Sequence, residues 1–244
     1  MRGKSRAAGL LAAAVLVCAL VPAAADMLED APPPPTTLYF FGADLWHEGD
    51  FLHGGVLWSP KGLAQDGFTL KLIFGAGAYQ YHSGALGDTE VTGRQTLASL
   101  MPGWRFKRPD LELTIFGGID LQHHKLSTDD PSNGIAGDHA GLRGGFDLWY
   151  QPSRGTMFAA NASLSTISTS YDARASYGWR LWHRFYAGPE VQALASDGYR
   201  QYRFGAHVTA LKWQTFELSA GLGYARDSSH RDGAYGRVGL ITRR

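Results

Sequence analysis

From residue 38 onward, apolar side chains recur at every second position. Leu111, Leu113, Ile115, Gly117, Ile119 and Leu121 alternate with Glu112, Thr114, Phe116, Gly118, Asp120 and Gln122. Successive side chains of a strand point to opposite faces, so this segment has one apolar face and one face of polar and small groups. The same alternation sets Phe216, Leu218, Ala220, Leu222 and Tyr224 against Glu217, Ser219, Gly221, Gly223 and Ala225. It also sets Tyr202, Phe204, Ala206 and Val208 against Gln201, Arg203, Gly205 and His207, and Leu142, Gly144, Phe146 and Leu148 against Arg143, Gly145 and Asp147. The pattern predicts about twelve strands, at roughly 38–46, 51–59, 67–82, 93–105, 110–125, 139–151, 155–168, 171–182, 184–195, 198–211, 214–226 and 233–242. Many exceed the length common in soluble sheets and suit the roughly 9 to 11 residues that a tilted strand needs to cross a bilayer. Hydrocarbon leaves no water to satisfy a free sheet edge, so long antiparallel strands in even number call for closure. The expected fold is all-β: a transmembrane antiparallel β-barrel of about twelve strands, of the outer-membrane type, over residues 38–244.

Counted from a periplasmic N-terminus, the inner connections are 60–66, 107–109, 152–154, 183 and 212–213, mostly tight. The outer ones include 82–92, the long polar stretch 126–138 and 227–232, with shorter turns near Gly49, Ser170 and Gly198. Longer connections outside than inside are the barrel rule. Trp58, Trp104, Trp149, Trp179, Trp182 and Trp213 fall near the periplasmic strand ends, where indole rings favour the headgroup level, and suggest an aromatic girdle. A soluble β-sandwich or lipocalin-like barrel shares the period of two. Its second face would not be glycine-rich with charges of both signs, as this one is: Glu112, Asp120, Arg143, Asp147, Arg174, Arg180, Glu190, Arg203, Glu217 and Arg237 all lie opposite the apolar face. In a barrel these become a lumen charge network. Eight strands leave an interior filled by side chains and 16 to 18 leave a channel, so about twelve imply a constricted polar pore.

The first residues read as an address. Arg2, Lys4 and Arg6 precede the apolar run from Ala7 to Val21, and Ala23-Ala24-Ala25 supplies a cleavage site before Asp26, so residues 1–25 are expected to be a cleaved signal peptide. A spanning helix competes, but the run is short and closes on Pro22; lipidation at Cys18 is disfavoured by Val17 before it. Residues 26–37 carry Pro32-Pro33-Pro34-Pro35, an extended periplasmic spacer. The signal peptide holds the only cysteine, which excludes a disulfide scaffold, a thiolate metal site and a cysteine nucleophile in the exported chain. Over the full 244 residues, 23 basic face 22 acidic side chains, and this balance argues against a nucleic-acid partner. With 12% aromatic residues the chain is not of disordered composition, and its 31 glycines follow no three-residue period.

Three stretches carry a resemblance. The segment from Gly188-Pro189-Glu190 through Gly205-Ala206-His207 to Leu211, the stretch Phe41-Gly42-Ala43-Asp44-Leu45-Trp46, and Gly223-Tyr224-Ala225-Arg226-Asp227 followed by Ala234 to Leu240 resemble the bacterial cellulose biosynthesis protein BcsS family, over residues 38–242. The resemblance implies an outer-membrane protein that accompanies a cellulose synthase system and assists export or surface deposition of the glucan. Its implied partners are cellulose and subunits of the synthase complex, beside the outer-membrane lipid that the strand pattern calls for. It carries over no catalytic residue. The chain departs from the usual barrel ending: it closes on Ile241-Thr242-Arg243-Arg244, without a terminal aromatic residue.

If strand 3 rises to the outer surface, Tyr79 and Tyr81 share its inward face near the top, and Trp46 and Tyr199 reach that level from strands 1 and 10. Aromatic faces suit the flat apolar faces of glucose rings, and Asp44 could accept hydroxyl hydrogen bonds, so these five residues are candidate glucan contacts at the outer mouth. The plainer alternative is that the rings fill the lumen or form the outer girdle. Other chemistry is weaker. His123, His124 and His139 with Asp129, Asp130 and Asp138 surround the long outer loop, but neighbouring strand residues point apart, and 129–134 lacks the ligand spacing of a calcium loop, so no metal is expected. Gly75-Ala76-Gly77 lacks the third glycine and the helix of a dinucleotide site, and no cofactor is expected. Asn161, Ser163 and Ser165 share an inward face, yet no Gly-x-Ser-x-Gly elbow or base at fixed spacing accompanies them. The expected role is therefore not enzymatic; a general small-solute porin and a membrane-barrel hydrolase are the alternatives.

Overall fold

The computed structural model describes residues 33–196 and 199–244, so the signal-peptide expectation and most of the spacer, up to residue 32, lie outside the described residues. Twelve strands follow in chain order: β1 Thr37–Trp46, β2 Gly49–Trp58, β3 Gly67–Ser83, β4 Thr89–Lys107, β5 Leu111–Leu126, β6 Gly137–Ser153, β7 Thr156–Ser165, β8 Ser170–Leu181, β9 Phe185–Ser196, β10 Tyr199–Trp213, β11 Phe216–Asp227 and β12 Asp232–Arg243. Each pairs antiparallel with its chain neighbours, and β12 pairs with β1 from Leu38↔Arg243 to Trp46↔Tyr235, which closes the barrel. No sheet edge is left, as a hydrocarbon environment demands. Both strand termini, Thr37 and Arg243, lie at one end. The turns between β8 and β9 and between β10 and β11 lie there too, while the 127–136 connection lies at the other, so the latter is the outer end.

The apolar face turns outward. Phe41, Leu45, Leu52, Phe74, Leu100, Ile115, Ile119, Leu142, Leu164, Phe204, Leu222 and Val238 are exposed, whereas Arg105, Asp120, Glu190, Arg203 and Arg237 are buried. This inversion of a soluble fold is the pattern of lipid outside and polar lumen inside. A bulge preserves it near the end of β10: the register shifts between Val208 and Leu211, with Ala210 at φ 59°. One extra residue exchanges the two faces of a strand, so Leu211 and Trp213 join the apolar wall instead of entering the lumen. Trp58, Trp104, Trp179, Trp182 and Trp213 are exposed at the inner end, as a girdle requires. Trp149 is not among them. It shares the inward parity of Asp147 and packs edge-on against the buried Tyr186 at 5.9 Å.

One connection differs from the sequence expectation. The 82–92 stretch is mostly strand, because Thr89–Thr92 pair back onto Gln80–Ser83 and carry the β3–β4 hairpin above its neighbours. The inner 59–66 connection folds against the barrel end: Leu63 is buried, its N–H donates to Pro35 O at 2.8 Å, and Arg105 Nε donates to Leu63 O at 2.9 Å.

Candidate functional site

Half of every strand projects into the lumen, and three groups of ion pairs line or bridge it. The first lies on the β9–β12 side. Glu190 accepts from Arg237 Nε at 3.0 and 3.1 Å, from Arg237 Nη2, and from Tyr235 Oη at 3.0 Å. This contact spans three strands and passes over Gly221 of β11, where a Cβ would overlap the Glu190 carboxylate and come within 2.8 Å of Arg237 Nε. Glycine on the inward face makes room for a charge pair. Arg203 Nη1 then donates to Asp44 Oδ1 at 3.0 Å, its Nε donates to Gln201 at 2.7 Å, and its guanidinium lies over the Tyr235 ring.

The second group is centred on Asp120, which is fully buried. It accepts from Ser165 Oγ at 2.6 Å, Ser99 Oγ at 2.7 Å, Gln122 Nε2 at 2.8 Å and Arg143 Nη2 at 2.9 Å. In the third, Lys71 Nζ reaches from β3 to Asp147 Oδ2 on β6 at 2.6 Å and sits 4.1 Å above the Phe116 ring. At the inner end Arg105 and Lys107 both pair with Glu112, the latter at 2.9 Å.

Of the ten residues expected in the network, Glu112, Asp120, Arg143, Asp147, Glu190, Arg203 and Arg237 form these pairs. Arg174 faces inward but makes no ion pair among the described residues; its register partners are Asn161 and Gln192. Glu217 pairs with Arg243 at 3.0 Å at the inner rim. Arg180 is exposed there, donating to His183 O and lying over the Tyr186 ring, because β8 ends one residue later. Sequence reasoning missed Lys71, Arg105, Lys107 and Tyr235. For Lys71 the signal was its position in Leu70-Lys71-Leu72-Ile73, a cation on the inward parity of an otherwise apolar run.

The outer mouth gathers the aromatic candidates in two places. Trp46 and Tyr199 approach at 6.2 Å between ring centroids, and Tyr79 stacks on Tyr81 at 6.2 Å. Asp44 does not join them: paired with Arg203, it belongs to the lumen wall below. Tyr79 Oη lies 3.4 Å from His124 Nδ1, and His124 Nε2 lies 3.1 Å from Gln122 Oε1. His123 points outward from the opposite face of β5, against Asp138. Tyr81 has a second task. Its hydroxyl donates to Asp130 Oδ2 at 2.9 Å and accepts from Asn133 Nδ2 at 3.0 Å, drawing the 127–136 loop over the mouth with Ile135 buried beneath. Arg231 clips the other side, pairing with Glu48 at 2.9 Å and Asp227 at 2.8 Å. Ser165 is committed to Asp120, and Ser163 Oγ accepts weakly from Arg143 at 3.4 Å.

Asp130 makes the loop pH-sensitive. The Ser132 hydroxyl and N–H, donating at 2.7 and 2.9 Å, together with Tyr81 hold its carboxyl down at about 2. A depressed folded value means that the docking contribution is present above the ordinary carboxylate pKa of about 4 and is lost as pH falls through about 2. Hydrogen exchange corrected for intrinsic rates should therefore show the Ser132, Asn133 and Ile135 amides protected at about pH 5 and released near pH 2 while strand amides stay protected. Unchanged loop protection at the lower pH would contradict this.

A closed antiparallel barrel with an apolar exterior and a charge-lined interior is the architecture of outer-membrane β-barrel proteins. The profile of the cellulose biosynthesis protein BcsS family matches residues 38–244, the whole barrel, and the chain belongs to that family. No curated protein matches it in sequence. Among solved structures, the fold is similar to KdgM porin (9% identity, TM-score 0.44, covering 84% of this chain and 98% of that one). It is also similar to LpxR from Salmonella typhimurium (12% identity, TM-score 0.46, 85% and 99% covered) and to the translocator domain of autotransporter NalP from Neisseria meningitidis (14% identity, TM-score 0.40, 85% and 87% covered).

Proposed function

We propose that this chain is exported by a cleaved signal peptide to the outer membrane and there serves, without catalysing a reaction, the export or surface deposition of cellulose. The family match over residues 38–244 carries this reading. The arrangement of the mouth is compatible with it: two aromatic pairs stand on different arcs of the outer rim, above a lumen whose cations are largely matched by carboxylates. A neutral glucan presents apolar ring faces and hydroxyls, and needs stacking surfaces and hydrogen-bond partners rather than a net field. Cross-lumen pairs such as Lys71–Asp147 make the interior narrow, so the rim is the first place for a glucan to be handled. Cellulose synthase subunits are the expected protein partners on the periplasmic side.

The test is binding of cellohexaose to the purified full-length barrel. Replacing Trp46, Tyr79 and Tyr199 together by alanine should weaken binding by about tenfold or more, roughly 1.4 kcal/mol. Tyr81 is left in place because it anchors the loop. Unchanged cellohexaose affinity in a variant that still folds would remove the rim from the glucan path.

A further inference from the structure

On the outward face of β4, β5 and β6, just below the outer rim, the ladder sets two cations side by side. Arg94 is the register partner of Lys125, both are exposed, and neither forms an ion pair among the described residues. Opposed side chains across an antiparallel pair lie about 5 Å apart at Cβ, and like charges there are unfavourable. Such a pair is tolerated where an anion is shared between the two. One step further from the rim, Thr96 opposes His123, and His123 opposes Asp138, with His123 Nδ1 at 2.6 Å from Asp138 Oδ1. Below this polar row the wall becomes apolar: Ala98 and Ala140 flank Leu121 in an open groove of about 530 Å³ that also takes in Thr96, His123 and Asp138.

The vertical order is cation pair, hydroxyl and imidazole, then a short groove floored by Ala98 and Ala140 and bounded below by Leu100, Ile119 and Leu142. We propose that this strip docks a phosphorylated, multiply acylated lipid of the outer leaflet, with a phosphate shared by Arg94 and Lys125 and an acyl chain laid in the groove. Charge complementarity selects the headgroup, since two unneutralised cations face outward where phosphates of the leaflet lie, and their methylene stems run along the apolar belt. Ala98 and Ala140 leave width beside Leu121 for the first carbons of a chain, which then runs over Leu100, Ile119 and Leu142. The inference needs the barrel to cross a bilayer with this end outward, and does not depend on how glucan is handled.

Native mass spectrometry of the full-length barrel in detergent tests it, with bisphosphorylated lipid A, phosphatidylglycerol and inorganic phosphate as separate probes. Lipid A should bind, and the Arg94→Glu/Lys125→Glu variant should bind it at least about tenfold more weakly, because both charge-assisted contacts to the phosphate are lost and replaced by repulsion. Arg184→Glu/Lys212→Glu, at the opposite rim, should bind like the parent. Faster migration without heating checks that each variant is folded, and Arg94→Gln/Lys125→Gln substitutes if the charge reversal is not. Equal lipid A binding by the folded Arg94/Lys125 variants, equal loss in the opposite-rim variant, or phosphatidylglycerol bound as tightly as lipid A would each overturn the proposal. So would binding of inorganic phosphate with none of lipid A.

Discussion

Replacing Glu190 by alanine should lower the unfolding free energy of the lipid-inserted barrel by about 3–5 kcal/mol, the cost of stranding a buried charge. Glu190 is almost wholly buried and is the common acceptor for Arg237 and Tyr235, three strands away across the lumen. Truncation leaves the Arg237 guanidinium in the interior with no carboxylate in contact, and the small residue at Gly221 offers nothing in exchange. Glu190→Gln keeps an acceptor for Tyr235 while losing the charge, and should fall between the parent and the alanine variant. Urea titration in lipid vesicles, followed by tryptophan fluorescence, measures all three. A loss under about 0.5 kcal/mol in the alanine variant would mean that water takes over the role of the carboxylate and that the pair does not brace the lumen.

Asp120→Ala should be of similar size, about 3–5 kcal/mol, for a related reason. Four donors converge on this fully buried carboxylate, from β4, β5, β6 and β7: Ser99, Gln122, Arg143 and Ser165. Its removal strands the Arg143 charge and leaves two hydroxyls in search of acceptors, each a further cost. The double variant Asp120→Leu/Arg143→Met removes both charges together and should be less destabilised than Asp120→Ala, because isosteric apolar replacement of a buried pair is tolerated better than breaking it. The same urea titration decides. A double variant as unstable as the single would show that the serine and glutamine bonds, and not the stranded charge, carry the cost.

Much of this barrel was legible in the chain because period two is a local signal. The alternation at 111–122 and at 216–225 separates the lipid and lumen faces as the barrel does and turns Asp120 inward, and the parity of the strands around Glu190 and Arg237 turns those two inward as well. Three kinds of feature escaped. The bulge near Ala210 has no signature in residue type, so Trp213 could be placed at the girdle by position but not by parity. Trp149 lies near a strand end, where position alone suggests the girdle, whereas its parity with Asp147 sends it inside. Contacts across the lumen depend on barrel closure: that Lys71 meets Asp147, or that Asp44 is held by Arg203, 159 residues apart in sequence, follows only once twelve strands are wound together. The candidate rim was half legible. Trp46, Tyr79, Tyr81 and Tyr199 reach the outer end as their strands imply, but the loop that Tyr81 holds through Asp130 and Asn133 read as a polar connection with no hint of docking.

The central claim is that a membrane-spanning barrel at the cell surface serves cellulose production, and one paired measurement bears on it most directly. Cells that make cellulose are compared with and without this chain, scoring the outer-membrane fraction for a band that migrates faster unheated and the culture for surface cellulose. The account predicts such a band and a loss of deposited cellulose when the chain is deleted. A soluble periplasmic chain, or full cellulose deposition in its absence, would contradict it.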